Sequence, residues 1–422
     1  MATESPDHSR QLPADDAHCG SVIRAIALLA PVAVVALLAW IYFRSYDQFM
    51  LALDRNSALG PCRGATGVRP LCDFANHYYP QGQALAKGPV VVPGFYYSAF
   101  FALCMRGLAT FTYPIARAIW GTVVMAATLV LLLAPLTRLL RLTPRACLVY
   151  GCIFATSLPL WHDLAFGQVS AITTALVILA FLARDRGHLA LPGVLIGLAA
   201  SIKFYPALFI VYFLVQKEFR AIVVAFTTTI ICMGLLPWLS LGDAGLLTFH
   251  HLLGTALDQF SSVVASSPFS NFIANAVTHA AFGRVDPTSW LYQGALVLGR
   301  LVGCLHVFLL WRSLRIDASR GLRTGLTLGL ASIPFLVRSC WVHYFVFLPF
   351  LHGSILQDVQ PAGRRRIPTV LVRASVAVSA ALISFPMLFL VGGGQSYYEG
   401  GWPFWATVVL LPGLYMQAFT KA

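Results

Sequence analysis

Charged side chains are scarce in this sequence, and their scarcity excludes an ordinary water-soluble domain. Asp, Glu, Lys and Arg make up 11% of the 422 residues, whereas hydrophobic residues make up 58%. The mean hydropathy is +0.75. A chain of this composition cannot cover its apolar surface with its own polar groups in water. We therefore expect an integral membrane protein for which lipid is the main solvent.

The alternation of apolar and polar residues that marks a transmembrane β-barrel is also missing. The apolar residues come in long runs, and a run in hydrocarbon satisfies its own backbone polar groups only as a helix. The sequence therefore predicts an all-α, polytopic transmembrane protein with one membrane domain over residues 21–422. Residues 1–20 are polar and without periodicity, so we expect a disordered cytoplasmic tail.

Metal and nucleotide motifs are missing as well. The sequence has no HEXXH motif, no phosphate-binding glycine loop and no zinc spacing among its nine cysteines. The net charge of +13 could indicate nucleic acid, but Lys and Arg lie in short clusters between apolar runs. We expect no metal, no cofactor and no nucleic-acid partner.

The apolar runs predict about 12 spans with both termini in the cytoplasm. The first run, about Ser21 to Phe43, is too long for a signal-peptide core and lacks a small-residue cleavage site, so we expect an uncleaved span. The run 94–112 contains Arg106 and is expected to be re-entrant or interfacial. The other runs cover about 115–137, 146–160, 168–183, 190–202, 204–215, 221–240, 291–311, 322–336, 341–356, 368–391 and 402–418.

Clusters of basic residues orient these runs, because cytoplasmic loops carry the excess of Lys and Arg. The polar stretches 44–93 and 241–290 then become outer loops. Cys62 and Cys72 both lie in the first of these loops. The sequence is compatible with a disulfide between them and equally with two free thiols. The clusters are Arg138/Arg141/Arg145, Arg184/Arg186, Lys217/Arg220, Arg312/Arg315/Arg320/Arg323 and Arg364/Arg365/Arg366.

This topology collects polar and aromatic residues on the outer side. With only 16 acidic residues in the chain, acids, imidazoles, an amide and cations at one membrane face indicate a site. A simpler role is open for each residue alone, because Trp and Tyr anchor at the interface and Lys and Arg extend their charge to water. The set is Asp54, Asp73, His77, Tyr78, Tyr79, Trp161, His162, Asp163, Gln168, Lys203, Tyr205, Arg338, Trp341 and His343.

Five segments in order resemble glycosyltransferase family 87 of the GT-C superfamily, whose members use polyprenyl-phosphate sugars. They are DFANHYYPQGQALAKG from Asp73, FYYSAFFAL from Phe95, FGQVSAITTALVILAFLARDRG from Phe166, GLAASIKFYPALFIVYFL from Gly197 and WVHYFVFLPFL from Trp341. The resemblance implies a GT-C fold and transfer of a sugar from a polyprenyl-phosphate donor to a glycolipid or glycan acceptor. Mannose is the favoured sugar, and arabinofuranose is the alternative.

Such a transfer needs a base for the acceptor hydroxyl and cations for the departing phosphate. A phosphate leaves without a proton, so one acid suffices and the configuration at the anomeric carbon inverts, unlike the reaction of hydrolases with paired carboxylates. Asp73 at the membrane surface is the expected base. Asp54 is the alternative, although Arg55 follows it and an ion pair or simple solvation is open there.

The remaining candidates are expected to bind the substrates. Lys203 would extend its ammonium to the outer interface where a lipid phosphate lies, and His343 and Arg338 would share the phosphate or order the base. Gln168 would hydrogen-bond the sugar. Tyr78, Tyr79 and Trp341 complete the expected substrate site.

Two other functional classes remain open. A secondary transporter also has broken helices and intramembrane polar residues, but the second half of the sequence does not repeat the first. A scaffold or lipid-organising protein would need no convergent acid and cation. For the glycosyltransferase, the resemblance implies a bacterial-type inner (plasma) membrane with an extracytoplasmic active site, and membrane lipid among the partners.

Overall fold

The computed structural model describes residues 29, 63–64, 67–68, 71–140, 142–260, 269–283, 286, 288–316, 321–337, 340–358, 369–391, 397 and 400–419. The regular secondary structure of these residues is helical, apart from two short antiparallel strands, Arg63–Gly64 and Gly67–Val68. The all-α prediction is therefore confirmed for the part described. The predicted tail and, except for Leu29, the predicted first span lie outside it.

The first helical segments form a compact layer. A π-helical turn, Phe74–Tyr78, runs into α1 (Tyr79–Leu85), and α2 follows at Ala99–Leu108. Gly82 lets the two helices touch, because a Cβ there would lie 2.2 Å from the carbonyl oxygen of Met105. The ten residues of α2 rise about 15 Å, half the thickness of the hydrocarbon, which agrees with a segment that does not cross by itself.

The next helices contain a sharp break. They are α3 (Tyr113–Ala134), continued by a π-helical turn at Pro135–Leu139, then α4 (Pro144–Thr156), α5 (Leu158–Phe166) and α6 (Ser170–Asp185). The predicted run 146–160 is divided at Ser157, which pairs with Ser384 through a β-bridge. The turn expected from Trp161 to Gln168 is mostly α5, and α5 meets α6 at an angle of 114°.

The third group of helices packs through glycines. It comprises α7 (Leu191–Ile202), a 3₁₀ turn (Tyr205–Leu208), α8 (Phe209–Val215), α9 (Phe219–Ile230), a π-helical turn (Ile231–Leu235) and α10 (Leu236–Phe260). A Cβ on Gly193 or Gly197 would lie 2.3 or 2.6 Å from a carbonyl oxygen of α9. These two positions therefore allow close contact of α7 with α9.

The stretch 241–290, expected as a polar outer loop, is largely helical. Residues up to Phe260 belong to α10, which bends at Gly242 with a φ of 69°, and α11 covers Phe269–Phe282. Buried apolar side chains such as Phe249 and Leu253 give α10 an apolar stripe that outweighs the polar residues beside it. The described part of the stretch is therefore helical, and its assignment to the outer side stays a prediction.

The C-terminal helices complete the bundle. They are α12 (Trp290–Ile316), α13 (Gly321–Leu336), a 3₁₀ helix (Val342–Phe347), α14 (Leu348–Asp358), α15 (Thr369–Leu382), α16 (Phe385–Leu390) and α17 (Trp402–Phe419). The 3₁₀ helix packs against α5 and α6, so the segment WVHYFVFLPFL lies beside the break between them.

Three helical stretches of the described residues are long and apolar enough to cross a membrane: Tyr113–Leu139, Phe219–Thr255 and Trp290–Leu309. The bent pair of α5 and α6 is a fourth if it counts as one span. Large apolar side chains such as Val223 and Leu239 are more than 60% exposed, as expected for a surface covered by lipid. The chain is therefore a membrane protein, and the count of 12 spans stays a prediction.

Candidate active site

A glycine creates the break at which the site is built. Gly167 ends α5 in the left-handed region, with φ 66° and ψ 39°, a conformation that costs glycine least. A Cβ at this position would also lie 3.0 Å from the Cβ of Leu71. The indole of Trp120 donates to the Gly167 carbonyl at 2.8 Å. The chain therefore reverses here and directs the next residue, Gln168, into the interior.

Gln168 connects two tyrosines to Asp73. Its Oε1 lies 2.6 Å from the hydroxyl of Tyr97 and 3.0 Å from that of Tyr78, and these two hydroxyls lie 2.8 Å apart. Because hydroxyl protons occupy Oε1, the amide nitrogen is the end left for a carboxylate. Nε2 donates to the Asp73 carboxylate. The four side chains form one network across three segments of the chain.

The Asp73 carboxyl lies just before the π-helical turn, outside the candidate membrane-spanning helices. The next residue, Phe74, is buried and stacks on Trp120 at a centroid distance of 5.8 Å. Removal from water raises the pKa of Asp73 to about 7, and the hydrogen bond from Gln168 and the charge of Lys203 only partly oppose this effect. The carboxyl is thus poised to exchange a proton near neutral pH.

Lys203 faces the protein interior and does not extend to water, and its position at the outer interface stays a prediction. It follows α7 in an extended conformation and is 8% exposed. Its Nζ donates to Ser170 Oγ at 2.9 Å and lies 3.8 Å from the ring centroid of Tyr344. A buried ammonium held by a hydroxyl and an aromatic face is not a lysine that extends to water at a helix end.

His343 completes the convergence. It lies in the 3₁₀ helix, is 5% exposed and has a buried Nδ1 without a hydrogen-bond partner. Its ring centroid is 5.5 Å from that of His162. Burial, together with the nearby charge of Lys203, lowers the pKa of His343 well below its usual value. Asp73, Gln168, Lys203 and His343, separated by up to 270 residues in sequence, therefore meet around one break in the bundle.

Comparison with known proteins gives the family of this chain. The sequence profile of glycosyltransferase family 87 matches residues 95–339, more than half of the chain. The chain belongs to glycosyltransferase family 87. The resemblance found in the sequence is thus confirmed, and the protein is a glycosyltransferase.

This family 87 enzyme also has a distant characterised relative. The two are 24% identical over 343 residues, which cover 79% of this chain and 77% of the relative. The relative is the polyprenol-phosphate-mannose-dependent alpha-(1-2)-phosphatidylinositol pentamannoside mannosyltransferase of Mycolicibacterium smegmatis (strain ATCC 700084 / mc(2)155). No solved structure matches the chain.

The structure describes two further candidate residues of this glycosyltransferase, Tyr79 and Trp341. The Tyr79 hydroxyl donates to the Phe111 carbonyl at 3.0 Å and the ring packs on Phe74 and Tyr113, so Tyr79 supports the layer of α1. Trp341 precedes the 3₁₀ helix, and its carbonyl accepts from the Tyr344 amide at 2.9 Å. Asp54 and Arg338 lie outside the described residues, and their roles stay predictions.

Cys72 is disulfide-bonded in the enzyme. The described cysteines Cys104, Cys147, Cys152, Cys232, Cys304 and Cys340 are free. The partner of Cys72 therefore lies outside the described residues, where Cys62 also lies, and the pairing of Cys62 with Cys72 stays a prediction. The bond anchors the residue directly before Asp73.

The structure adds Tyr97, Ser170 and Tyr344 to the predicted site, and it gives contacts to Asp163, which the predicted outer set contained without an assigned role. Tyr97 lies within the segment FYYSAFFAL, where the sequence alone does not distinguish it from the adjacent Tyr96. Ser170 and Tyr344 contact Lys203 and lie within two of the segments quoted from the sequence. Asp163 lies five residues before Gln168 and is fully buried. An acid in an apolar run is the one signal that favoured it.

No group of three or more His, Cys, Asp or Glu side chains in the described part of the enzyme is placed to hold a metal ion. Asp54 and the other polar residues of the first loop outside that part are not included in this observation. The absence of a metal and of a cofactor therefore stays an expectation.

Proposed function

We propose that this glycosyltransferase moves a sugar from a polyprenyl-phosphate donor to a hydroxyl of a glycolipid or glycan acceptor. Mannose is the favoured sugar because the characterised relative is polyprenol-phosphate-mannose-dependent, and arabinofuranose is the alternative. The relative's name also describes a glycolipid acceptor. The observation that carries the proposal is the convergence of Asp73 with buried Lys203 and His343.

Asp73 acts as the single general base. The acceptor oxygen attacks the anomeric carbon, its proton passes to the Asp73 carboxylate, and the bond from the anomeric carbon to the phosphate oxygen breaks. The polyprenyl phosphate leaves with the bonding electron pair and needs no acid. One displacement inverts the configuration at the anomeric carbon.

Lys203 and His343 receive the phosphate. A buried ammonium stabilises the charge that develops on the departing phosphate more strongly than an ammonium in water does. The unpartnered Nδ1 of His343 offers a further hydrogen bond. Gln168, which we had expected at the sugar, is engaged with Asp73, Tyr78 and Tyr97, so its proposed role is to orient the base.

The topology supports a site on the extracytoplasmic face of a bacterial-type plasma membrane. Arg184 in the last turn of α6 and Arg186 directly after it mark this end of the helix as basic, and the excess of basic residues assigns it to the cytoplasm. Asp73 and Lys203 lie near the opposite end of that helix. Membrane lipid surrounds the donor's polyprenyl chain in this arrangement.

The decisive experiment is Asp73→Asn in a liposome assay with labelled polyprenyl-phosphate mannose and glycolipid acceptors. The amide keeps the size of the carboxylate but does not accept the proton, so kcat should fall by roughly 10²–10⁴-fold while donor binding persists. Asp185→Asn, an exposed acid at the other end of α6, is the matched control. Asp54→Asn is tested in parallel, and near-normal turnover by Asp73→Asn would move the base elsewhere.

A further inference from the structure

The broken helix pair holds a second buried carboxylate that the proposed reaction does not use. Asp163 lies on α5 and is 0% exposed. It accepts hydrogen bonds from the backbone N–H groups of Ser170 at 3.1 Å and Ala171 at 3.3 Å. These are the first N–H groups of α6, which have no partner within the helix. Asp163 therefore caps α6 from across the bend.

Because Asp163 occupies this helix end, the free N–H groups of α6 are not available to a substrate phosphate. Helix N-termini commonly bind phosphate groups, because their free N–H groups point at the anion. In this protein the anion is a side chain of the protein itself. The phosphate must therefore rely on side-chain cations, of which Lys203 is the buried one nearest the break.

Ser170 links Asp163 to that cation. Its backbone N–H bonds Asp163, and its hydroxyl accepts from Lys203 Nζ at 2.9 Å. Burial lowers the pKa of Lys203 to about 7, and the charges of Asp163 and, less strongly, Asp73 oppose this effect. A buried ammonium is costly unless an opposite charge compensates it. Asp163 supplies that compensation through space, and Ser170 supplies the geometry.

The two acids near Lys203 have different roles in this account. Asp73 is held by Gln168 and must remain free to take a proton from the acceptor. If Asp73 were the main counter-charge of Lys203, the ammonium would stabilise its ionised form and weaken it as a base. A second carboxylate that is fixed by backbone N–H groups removes this conflict.

We propose that Asp163 is a positioning residue for the donor phosphate: it fixes the start of α6 and Ser170, and so holds the charged Lys203 ammonium where the phosphate of the donor binds. The proposal rests on the proposed function, since it assumes that Lys203 receives a lipid phosphate. It assigns Asp163 no contact with the substrate.

A plain helix cap is the competing explanation, and substitution by Asn separates the two. Asn has nearly the size of Asp and caps helices equally well, but it carries no charge. A cap alone predicts that Asp163→Asn behaves as wild type and that Asp163→Ala is unstable. A positioning role through charge predicts that Asp163→Asn stays folded but binds the lipid phosphate weakly.

Binding of polyprenyl phosphate, the released carrier, provides a readout that needs no turnover. We expect Asp163→Asn to weaken this binding and to raise the donor KM by about tenfold, the effect of 1.4 kcal/mol, with the acceptor KM little changed. The size-exclusion profile and melting temperature of Asp163→Asn verify its fold. Asp185→Asn is again the charge-matched control and should bind as wild type.

A double-mutant cycle tests whether Asp163 acts through Lys203. Asp163→Asn combined with Lys203→Met should bind no more weakly than Lys203→Met alone, because the charge that Asp163 compensates is already gone. Independent, multiplying losses would overturn the proposal, and so would wild-type binding by Asp163→Asn. Should Asp163→Asn fail to fold, Ser170→Ala keeps the cap and removes the link, and normal binding by it would also overturn the proposal.

Failure of the reaction assignment is distinguishable from failure of this proposal. A fully active Asp73→Asn variant would show that another residue is the base, and it would not affect the binding results for Asp163. A wild-type protein that does not bind polyprenyl phosphate would overturn both.

Discussion

The amide of Gln168 donates to the Asp73 carboxylate across 95 residues of sequence. Tyr78 and Tyr97 hold the other end of the same amide, so its orientation follows from the network. One oxygen of the Asp73 carboxylate accepts the hydrogen bond from the fixed amide, and the other oxygen is presented to the hydroxyl of the glycolipid or glycan acceptor. The base of this enzyme is thus oriented by a residue whose position depends on a glycine turn.

Gln168→Ala should lower kcat by roughly 10-fold to 100-fold with a small change in donor KM, because the base loses its orientation but not its charge. Steady-state kinetics in liposomes measure this. Gln83→Ala, an exposed glutamine in α1, is the control. A raised donor KM with normal kcat would instead return Gln168 to a contact with the sugar.

Activity should depend on pH through Asp73. Its pKa is raised from 3.8 to about 7 by removal from water, and only the ionised carboxylate accepts a proton. The value of kcat/KM should therefore fall about tenfold per pH unit on the acid side of this pKa. It should fall again on the alkaline side, because burial lowers the pKa of Lys203 to about 7 and only its ammonium form carries the charge for the phosphate. A profile of kcat/KM from pH 5 to 9 checks this, and a curve without an acid limb near neutrality would contradict it.

Lys203→Met should raise the donor KM more than the acceptor KM, because the lost charge contacts the phosphate. The apolar chain of Met keeps the packing beside Tyr344. Lys87 is exposed, so Lys87→Met is the control for the loss of one positive charge that lies outside the site. Unchanged donor kinetics would limit Lys203 to a structural role.

Cys62 and Cys72 should form a bridge that orders the residues before Asp73. Peptide mapping without reduction should recover the two cysteines together, and Cys72→Ser should lower stability by roughly 2–3 kcal/mol in the chain-entropy model. Thermal unfolding in detergent measures the loss. Recovery of Cys72 joined to Cys19 would show a different pairing.

Much of the architecture follows from the sequence through local physics. Long apolar runs require helices in lipid, and the run 115–137 corresponds to the observed stretch Tyr113–Leu139 because hydropathy and length depend on neighbouring residues alone. The scarcity of acids drew attention to Asp73. The quoted motifs indicated family 87, and they contain Gln168, Lys203 and His343.

Only the tertiary structure decided what these residues contact. In the run 146–160 only Pro159 marks a possible break locally, whereas the pairing of Ser157 with distant Ser384 exists only in the folded chain. The direction of Lys203, the hydrogen bond from Gln168 to Asp73 and the burial of Asp163 likewise depend on how helices meet. Hydropathy reports how much a segment prefers lipid, whereas hydrogen bonds between distant segments exist only once the helices pack.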